Sequence, residues 1–279
     1  MKGVSCSSEF MTNIYADNAA TTIISDSSLE AIIVSYRNHY GNPSSKHGCS
    51  KEPKNDLRIG RTLISECIHS KPEEIFFTSG GTESDNWAIR GCISEKKNHI
   101  ITTKIEHPAI IETCHYLEKL RASVSYLPVD PFGHVSEDEL SSEIGKDTAL
   151  VSIMHVNNEI GTIQNIGELS KISHNKGALF HTDAVQSVGH IPIDVNEMGV
   201  DLLSASAHKF NGPRGVGFLY VRNGTFLNPL LYGGHQQNNM RAGTENVPGI
   251  MGMAVALKEN VEQIEKSMKH ISGLESLLI

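Results

Sequence analysis

Two residues in this chain are of the right type and in the right setting to do chemistry together. Lys209 closes the run Ser204-Ala-Ser-Ala-His208-Lys209, and Asp183 lies upstream in His181-Thr-Asp183-Ala-Val-Gln186. A lysine that is partly desolvated loses its charge more readily, and its neutral amine can attack an aldehyde to form a Schiff base. A carboxylate beside a pyridinium nitrogen keeps that nitrogen protonated, because opposite charges favour each other's charged forms. An attacking lysine and a ring-holding acid are together what pyridoxal phosphate chemistry requires.

The segments around the pair fit that reading. The apolar run Asp201-Leu-Leu-Ser-Ala-Ser-Ala leads into His208-Lys209. The turn-rich segment Asn211-Gly-Pro-Arg-Gly215 and the apolar strand Phe218-Leu-Tyr-Val221 follow it. Lys209 is therefore expected at a strand end, where α/β folds place groups that touch ligands. Thr78-Ser-Gly-Gly-Thr-Glu-Ser84 joins an expected strand to a helix. Glycines there let the backbone approach an anion, and the helix start offers free N–H groups. His107, in Glu106-His107-Pro108, stands where a helix cap or a ring-stacking imidazole would serve equally. His155-Val-Asn157-Asn158-Glu159-Ile-Gly161 places polar groups just past an apolar strand, as a site or a turn would.

The elements that must position these groups alternate. Helices are expected over 26–40, 57–68, 83–93, 107–120, 136–144 and 166–175, and strands over 74–78, 99–103, 124–127, 149–154, 178–182, 202–205 and 216–221. Leu29, Ile32, Ile33 and Tyr36 are expected to share one apolar face of the first helix. The pattern predicts an α/β fold with a mostly parallel central sheet and helices on both faces. A last long helix carries Ile250, Met253, Leu257, Val261, Ile264, Met268, Ile271, Leu274 and Leu278 at 3-4 spacing, a stripe that needs a cover.

With 279 residues the chain can bury one large core, and its net charge of −8 argues against nucleic acid or an anionic membrane as a partner. No 18-residue apolar run occurs, and Met1-Lys-Gly-Val-Ser-Cys-Ser-Ser lacks the apolar centre of a signal peptide. Cys6, Cys49, Cys67, Cys92 and Cys114 are scattered and contain no CxxC pair, which suggests neither disulfides nor a metal site and fits a reducing, cytoplasmic setting.

Seven motifs in order resemble the cysteine desulfurases, pyridoxal-phosphate enzymes of the class V aminotransferase type. They are Tyr15-Ala-Asp-Asn-Ala-Ala-Thr-Thr22, Gly41-Asn-Pro-Ser-Ser45, Thr78 to Ser84 as quoted, Ser152-Ile-Met-His-Val-Asn-Asn-Glu-Ile-Gly161, His181 to Gln186, Ala207-His-Lys209 and Arg241-Ala-Gly-Thr-Glu-Asn246. The resemblance implies the pyridoxal-phosphate-dependent transferase fold, type I. It implies a large cofactor-binding domain over 15–248 after an extension over 1–14. Residues 249–279 would lead toward a small domain that is expected to be largely missing. By the same resemblance, Lys209 would bond the cofactor, Asp183 would pair with the ring nitrogen, and His107 would stack on the ring and move protons. Gln186 and Asn157 would bind near the ring oxygen. Gly81, Thr82, Ser206 and His208 would hold the phosphate, and Thr244 would reach the phosphate of a neighbouring subunit in a homodimer. Asn42 would line the substrate side. L-cysteine would be the substrate, and alanine and a protein persulfide the products, with the sulfur passed to an acceptor such as an iron–sulfur scaffold protein.

Two departures accompany the resemblance. The family's nucleophilic cysteine and its carboxylate-binding arginine lie in the small domain, so the chain alone is expected to be impaired, with Cys49 an unpromising substitute. Gly233-Gly-His-Gln-Gln237 also stands where the family more often has a third glycine and a Gln-Glu pair. Three readings stay open: a desulfurase, a lyase or aminotransferase of the same fold acting on another amino acid, and a cofactor-binding protein without turnover.

Overall fold

The structure, a computed structural model, describes residues 14–278. The expected extension, apart from Ile14, lies outside the described residues, as do Cys6 and Ile279. Seven strands form one sheet: β1 (Ile75–Thr78), β2 (His99–Thr103), β3 (Ser123–Leu127), β4 (Thr148–Ser152), β5 (Leu179–Asp183), β6 (Leu202–Ser206) and β7 (Gly217–Val221). Their order is β1-β7-β6-β5-β4-β2-β3, and only β7 runs against its neighbours. The long apolar runs in the central strands follow from burial on both faces.

Seven helices cover the sheet: α1 (Asp26–Asn38), α2 (Lys51–Cys67), α3 (Gly81–Gly91), α4 (Pro108–Lys119), α5 (Glu137–Glu143), α6 (Ile166–Asn175) and α7 (Val247–Leu278). One core joins Phe77, Ile101, Val151, Phe180 and Leu203 of the sheet to α2, α5, α6 and α7. The other joins Phe76, Ile100, Leu150 and Leu202 to α3 and α4. The period-2 alternation of each strand thus feeds two separate apolar layers.

The first helix departs from its expected face. Ser28 and Ser35 are its buried residues, whereas Leu29 and Tyr36 are exposed. The cause is close packing on α7. Ser28 Oγ donates to Gly252 O at 2.9 Å, and a Cβ on Gly252 would meet Ile32 Cγ1 at 2.6 Å. Small residues let the two helices approach, and Leu29 and Tyr36 are turned outward. On α7 itself the stripe is covered through Ile250, Met253, Leu257 and Ile264, then opens to solvent at Met268, Ile271 and Leu274.

The unusual Gln237 also finds a use. It is buried with φ +46°, and its Oε1 accepts from Phe77 N at 3.1 Å and Arg61 Nη2 at 3.0 Å. A neutral amide oxygen therefore closes the edge of β1 and supports a buried guanidinium that also stacks on Phe77, 4.6 Å from the ring centre.

Candidate active site

The C-terminal ends of the parallel strands open into one cavity of about 830 Å³. Each end delivers a different group to it. Asp183 is the last residue of β5, and Ser206 the last of β6. His208 and Lys209 sit in the 3₁₀ turn Ala207–Lys209 that follows β6. Ser79, Gly80, Gly81 and Thr82 join β1 to α3, and His107 caps α4 beyond β2. Asp17, Ala19, Ala20 and Thr21 form the wall opposite the sheet.

The cradle at α3 is held from three sides. Gly80 takes φ +148° and ψ −174°, a region essentially reserved for glycine. A Cβ on Gly81 would meet Val185 Cγ2 at 2.7 Å. Ser79 N donates to Glu83 Oε2 at 3.1 Å, and Arg241 grips the same carboxylate through Nε at 2.8 Å and Nη2 at 3.2 Å. Burial pushes the Glu83 carboxyl up, but hydrogen bonds from Arg241 and Ser79 more than offset this and hold it below its ordinary range. Thr78 and Ser84 hydroxyls meet at 2.8 Å and close the turn. The first N–H groups of α3 are left facing the cavity, a preformed anion site.

Lys209 is half-buried, and its Nζ donates to the carbonyls of Ala19 and Ala20, at 2.5 and 3.0 Å. Burial lowers its pKa, against the pull of the Asp183 and Asp17 carboxylates. His208 is lowered by burial, then by the charges of Lys209 and Arg214, and its Nδ1 lies 3.1 Å from Thr21 Oγ1. Asp183 is 5 % exposed and accepts from Val185 N at 2.9 Å. Burial raises its pKa, and the Val185 N–H, His107 and Lys209 counter only part of that rise. Gln186 lines the cavity with its amide donating to Ala19 O at 2.9 Å. His107 is exposed, and its Nδ1 accepts from Ala109 N at 3.1 Å, so Nε2 is the nitrogen left for other partners.

The cavity thus gathers Lys209, Asp183, His107, Gln186, Gly81, Thr82, Ser206 and His208. Three other expected residues stand apart from it. Asn157 does not line the cavity. Its amide donates to Ile105 O at 2.9 Å and its Oδ1 accepts from Glu159 N and Ile160 N, so the side chain ties down the loop that presents Asn158 and Glu159. Thr244 is exposed and lines a separate cavity of about 140 Å³ with Ser79 and Gly215. Asn42 is exposed and caps its own loop by accepting from Ser44 N at 2.8 Å. None of the described cysteines lines the main cavity. Cys49 is exposed elsewhere, and burial pushes the Cys67 and Cys114 thiols up to about 11 and about 12.

Two buried acids close the site from behind. Glu106, 7 % exposed, accepts on Oε1 from Thr103 Oγ1 at 2.8 Å and Met154 N at 2.9 Å, while its Oε2 has no partner. Asp85, 1 % exposed, lies on α3 and lines the cavity. A sequence signal for Asp85 existed: it is an acid among Ser84, Trp87, Ala88 and Ile89, on a helix face that otherwise packs inward. Burial lifts Glu106 to about 8. A folded-state value above the ordinary 4.5 means that the folded protein binds this proton more tightly than the unfolded chain does. The stability it contributes is full below about 4.5 and is lost as pH rises toward about 8. In Glu106→Gln, which keeps the Oε1 acceptor, denaturant midpoints should fall less steeply over that window. An unchanged slope would place the proton elsewhere.

The donor set fits pyridoxal phosphate. The α3 cradle with Ser206 and His208 suits the phosphate, Lys209 the aldehyde, and the buried Asp183 a pyridinium nitrogen. The aminotransferase class-V profile matches residues 14–278. The chain belongs to the class-V aminotransferase family. The family's enzymes depend on pyridoxal phosphate. One similar family member is a cysteine desulfurase IscS of Dictyoglomus turgidum, 51% identical over 269 residues, spanning 95% of this chain and 68% of that protein. Among solved structures, a NifS-like protein has 44% identity and a TM-score of 0.93, covering 95% of this chain and 74% of that one. SspA in complex with cysteine has 38% identity and a TM-score of 0.86, covering 88% and 72%. The doubly covered, mostly parallel sheet is the fold these family members share.

Proposed function

We propose that this chain carries out cysteine desulfurase chemistry: it takes sulfur from L-cysteine, leaves L-alanine and hands the sulfur to a thiol. The observation that carries the reading is the convergence of Lys209, Asp183, His107 and the Gly80–Thr82 cradle on one cavity. The similarity to cysteine desulfurases and to a cysteine-bound SspA selects the substrate.

Pyridoxal phosphate, when bound, supplies an electron-withdrawing ring to the amino acid joined to it. The chain's own groups do the rest. Lys209 would bond the cofactor's aldehyde and, as a free amine, would accept and return the proton at the substrate Cα. Its depressed pKa keeps the amine available for both tasks. Asp183 would hold the ring nitrogen, and His107 would lie against the ring with Nε2 left to move a proton. The first N–H groups of α3, with Thr82, Ser206 and His208, would hold the phosphate, and Gln186 would lie near the ring oxygen. Asn157 acts one step back, through the loop it fastens. The acceptor thiolate forms a new S–S bond with the substrate sulfur. The Cβ–S bond breaks with its electron pair left on the carbon skeleton, and a proton at Cβ completes alanine.

In this reading residues 15–248 are the cofactor-binding domain, and the protein works as a homodimer in which Thr244 reaches the partner's cradle. Support for the pairing comes from exposed Tyr36, Tyr40 and Tyr232. Free cysteines fit a cytoplasmic protein that supplies an iron–sulfur scaffold. No described helix is long and apolar enough to cross a membrane.

The test is product analysis with L-cysteine, added pyridoxal phosphate and a small dithiol. Alanine and sulfide should appear in equal amounts. Omitting the dithiol should stop turnover, because no described cysteine lines the cavity. Pyruvate with ammonia would instead identify a lyase, and cofactor binding without product would identify a binding protein.

A further inference from the structure

We propose that Asp85 is a positioning residue for the acid at the base of the cavity: its carboxyl keeps its proton, and the single negative charge of the Asp85–Asp183 pair rests on Asp183. The proposal rests on the reading of this cavity as a pyridoxal phosphate site, since it states how the ring-holding acid is kept anionic.

Asp85 and Asp183 line the same cavity, and each is almost wholly buried. Their charges oppose each other, so a proton held by one of the two carboxyls lowers the cost of burying both. Their surroundings decide where it stays. Asp183 has an N–H donor at 2.9 Å from Val185, and Lys209 and His107 both favour its charged form. Asp85 has less of this help, a single hydrogen bond from Ser204 and no basic side chain. Its Oδ1 has no hydrogen-bond partner, and the nearest basic nitrogen, His181 Nε2, is 3.8 Å away.

That imidazole cannot serve as a counter-charge. His181 is fully buried in β5 and bridges the neighbouring strands, with Nδ1 2.9 Å from Ser152 Oγ of β4 and Nε2 2.9 Å from Ser204 Oγ of β6. Burial pushes its pKa down to about 3, so it stays neutral. The charged groups that act on Asp85 are both acids, Asp183 from β5 and Glu106 from the segment before α4, and the Ser204 hydrogen bond offsets only part of their effect. Burial first, and then the Asp183 charge, raise Asp85 well above the carboxylate range. A neutral Asp85 leaves the pair with one charge, on the member that Lys209 and His107 can reach. An ionised Asp85 would drive the proton onto Asp183 and disable it as a partner for a ring nitrogen.

The experiment is infrared spectroscopy of the full chain labelled with ¹³C at aspartate side-chain carboxyls, which separates aspartates from Glu106. Spectra are taken at neutral pH with and without added pyridoxal phosphate. A protonated-aspartate carbonyl band that shifts in D₂O is expected, lost in Asp85→Asn and retained in Asp183→Asn. Asp85→Asn should bind the cofactor within about threefold of the unaltered protein. Asp183→Asn, which loses a charged hydrogen bond, should bind at least about tenfold more weakly. A band lost in Asp183→Asn, or no band at all, overturns the proposal, as does a cofactor defect in Asp85→Asn equal to that of Asp183→Asn. Should Asp85→Asn fail to fold, persistence of the band in Asp183→Asn decides the question. The protonation state is readable without cofactor, so it can fail while the cofactor reading stands, and the reverse.

Discussion

Lys209→Ala should yield a folded protein that holds pyridoxal phosphate only by non-covalent contacts and makes no alanine above background. The fold survives because Lys209 is half-buried at the cavity wall and contributes no core packing. Its loss frees the Ala19 and Ala20 carbonyls, which already face the cavity and can take water. Catalysis should not survive, because in the proposed chemistry one amine both bonds the cofactor and carries the Cα proton. Proton transfer by a positioned group is alone worth roughly 10²–10⁴-fold. Loss of the visible absorbance of the lysine-bound cofactor, with unchanged far-ultraviolet circular dichroism, checks the expectation. Visible absorbance equal to that of the unaltered protein would mean that another lysine bonds the cofactor.

The largest effect on stability should come from Trp87→Ala. Trp87 is 1 % exposed on α3 and meets Phe76 edge-on, with ring centres 5.6 Å apart. Its Nε1 donates to Asn228 O at 2.8 Å. Truncating a buried tryptophan costs about 3–5 kcal/mol, and the orphaned carbonyl adds about 1 kcal/mol where water cannot reach it. The damage should reach the site, because α3 carries the cradle at its start. Urea midpoints should fall steeply, and cofactor affinity should fall with them. A midpoint unchanged from the unaltered protein would show that α3 is not held through this contact.

Where local pattern alone sets an element, its bounds were legible in advance. The strand His99–Thr103 and the helix Ile166–Asn175 stand where β-branched residues and 3.6-residue spacing put them. Ser136 caps α5 as its type suggests, accepting from Glu139 N. The apolar residues of the first helix do not all turn inward. Its partner α7 is approached through Ser28, Ile32 and Gly252, and close backbone packing favours small residues over large apolar ones.

The site divides in the same manner. Lys209, Asp183 and the cradle were legible because strand-end turns and glycines leave local signatures. Asn157 sits beside the cavity but spends its hydrogen bonds on its own loop, which no spacing rule reveals. Asp85 and Glu106 were not singled out because their meaning depends on burial, and burial comes from strands distant in sequence. The Arg241–Glu83 clamp likewise joins residues that only the folded chain brings together.

The most direct test of the account is to reduce the pyridoxal-phosphate-loaded protein with borohydride, digest it and identify the modified lysine by mass spectrometry. The geometry predicts one labelled peptide, carrying the cofactor on Lys209 of Ser204-Ala-Ser-Ala-His-Lys209. Label on any other lysine, or none at all, would contradict the assignment of this cavity.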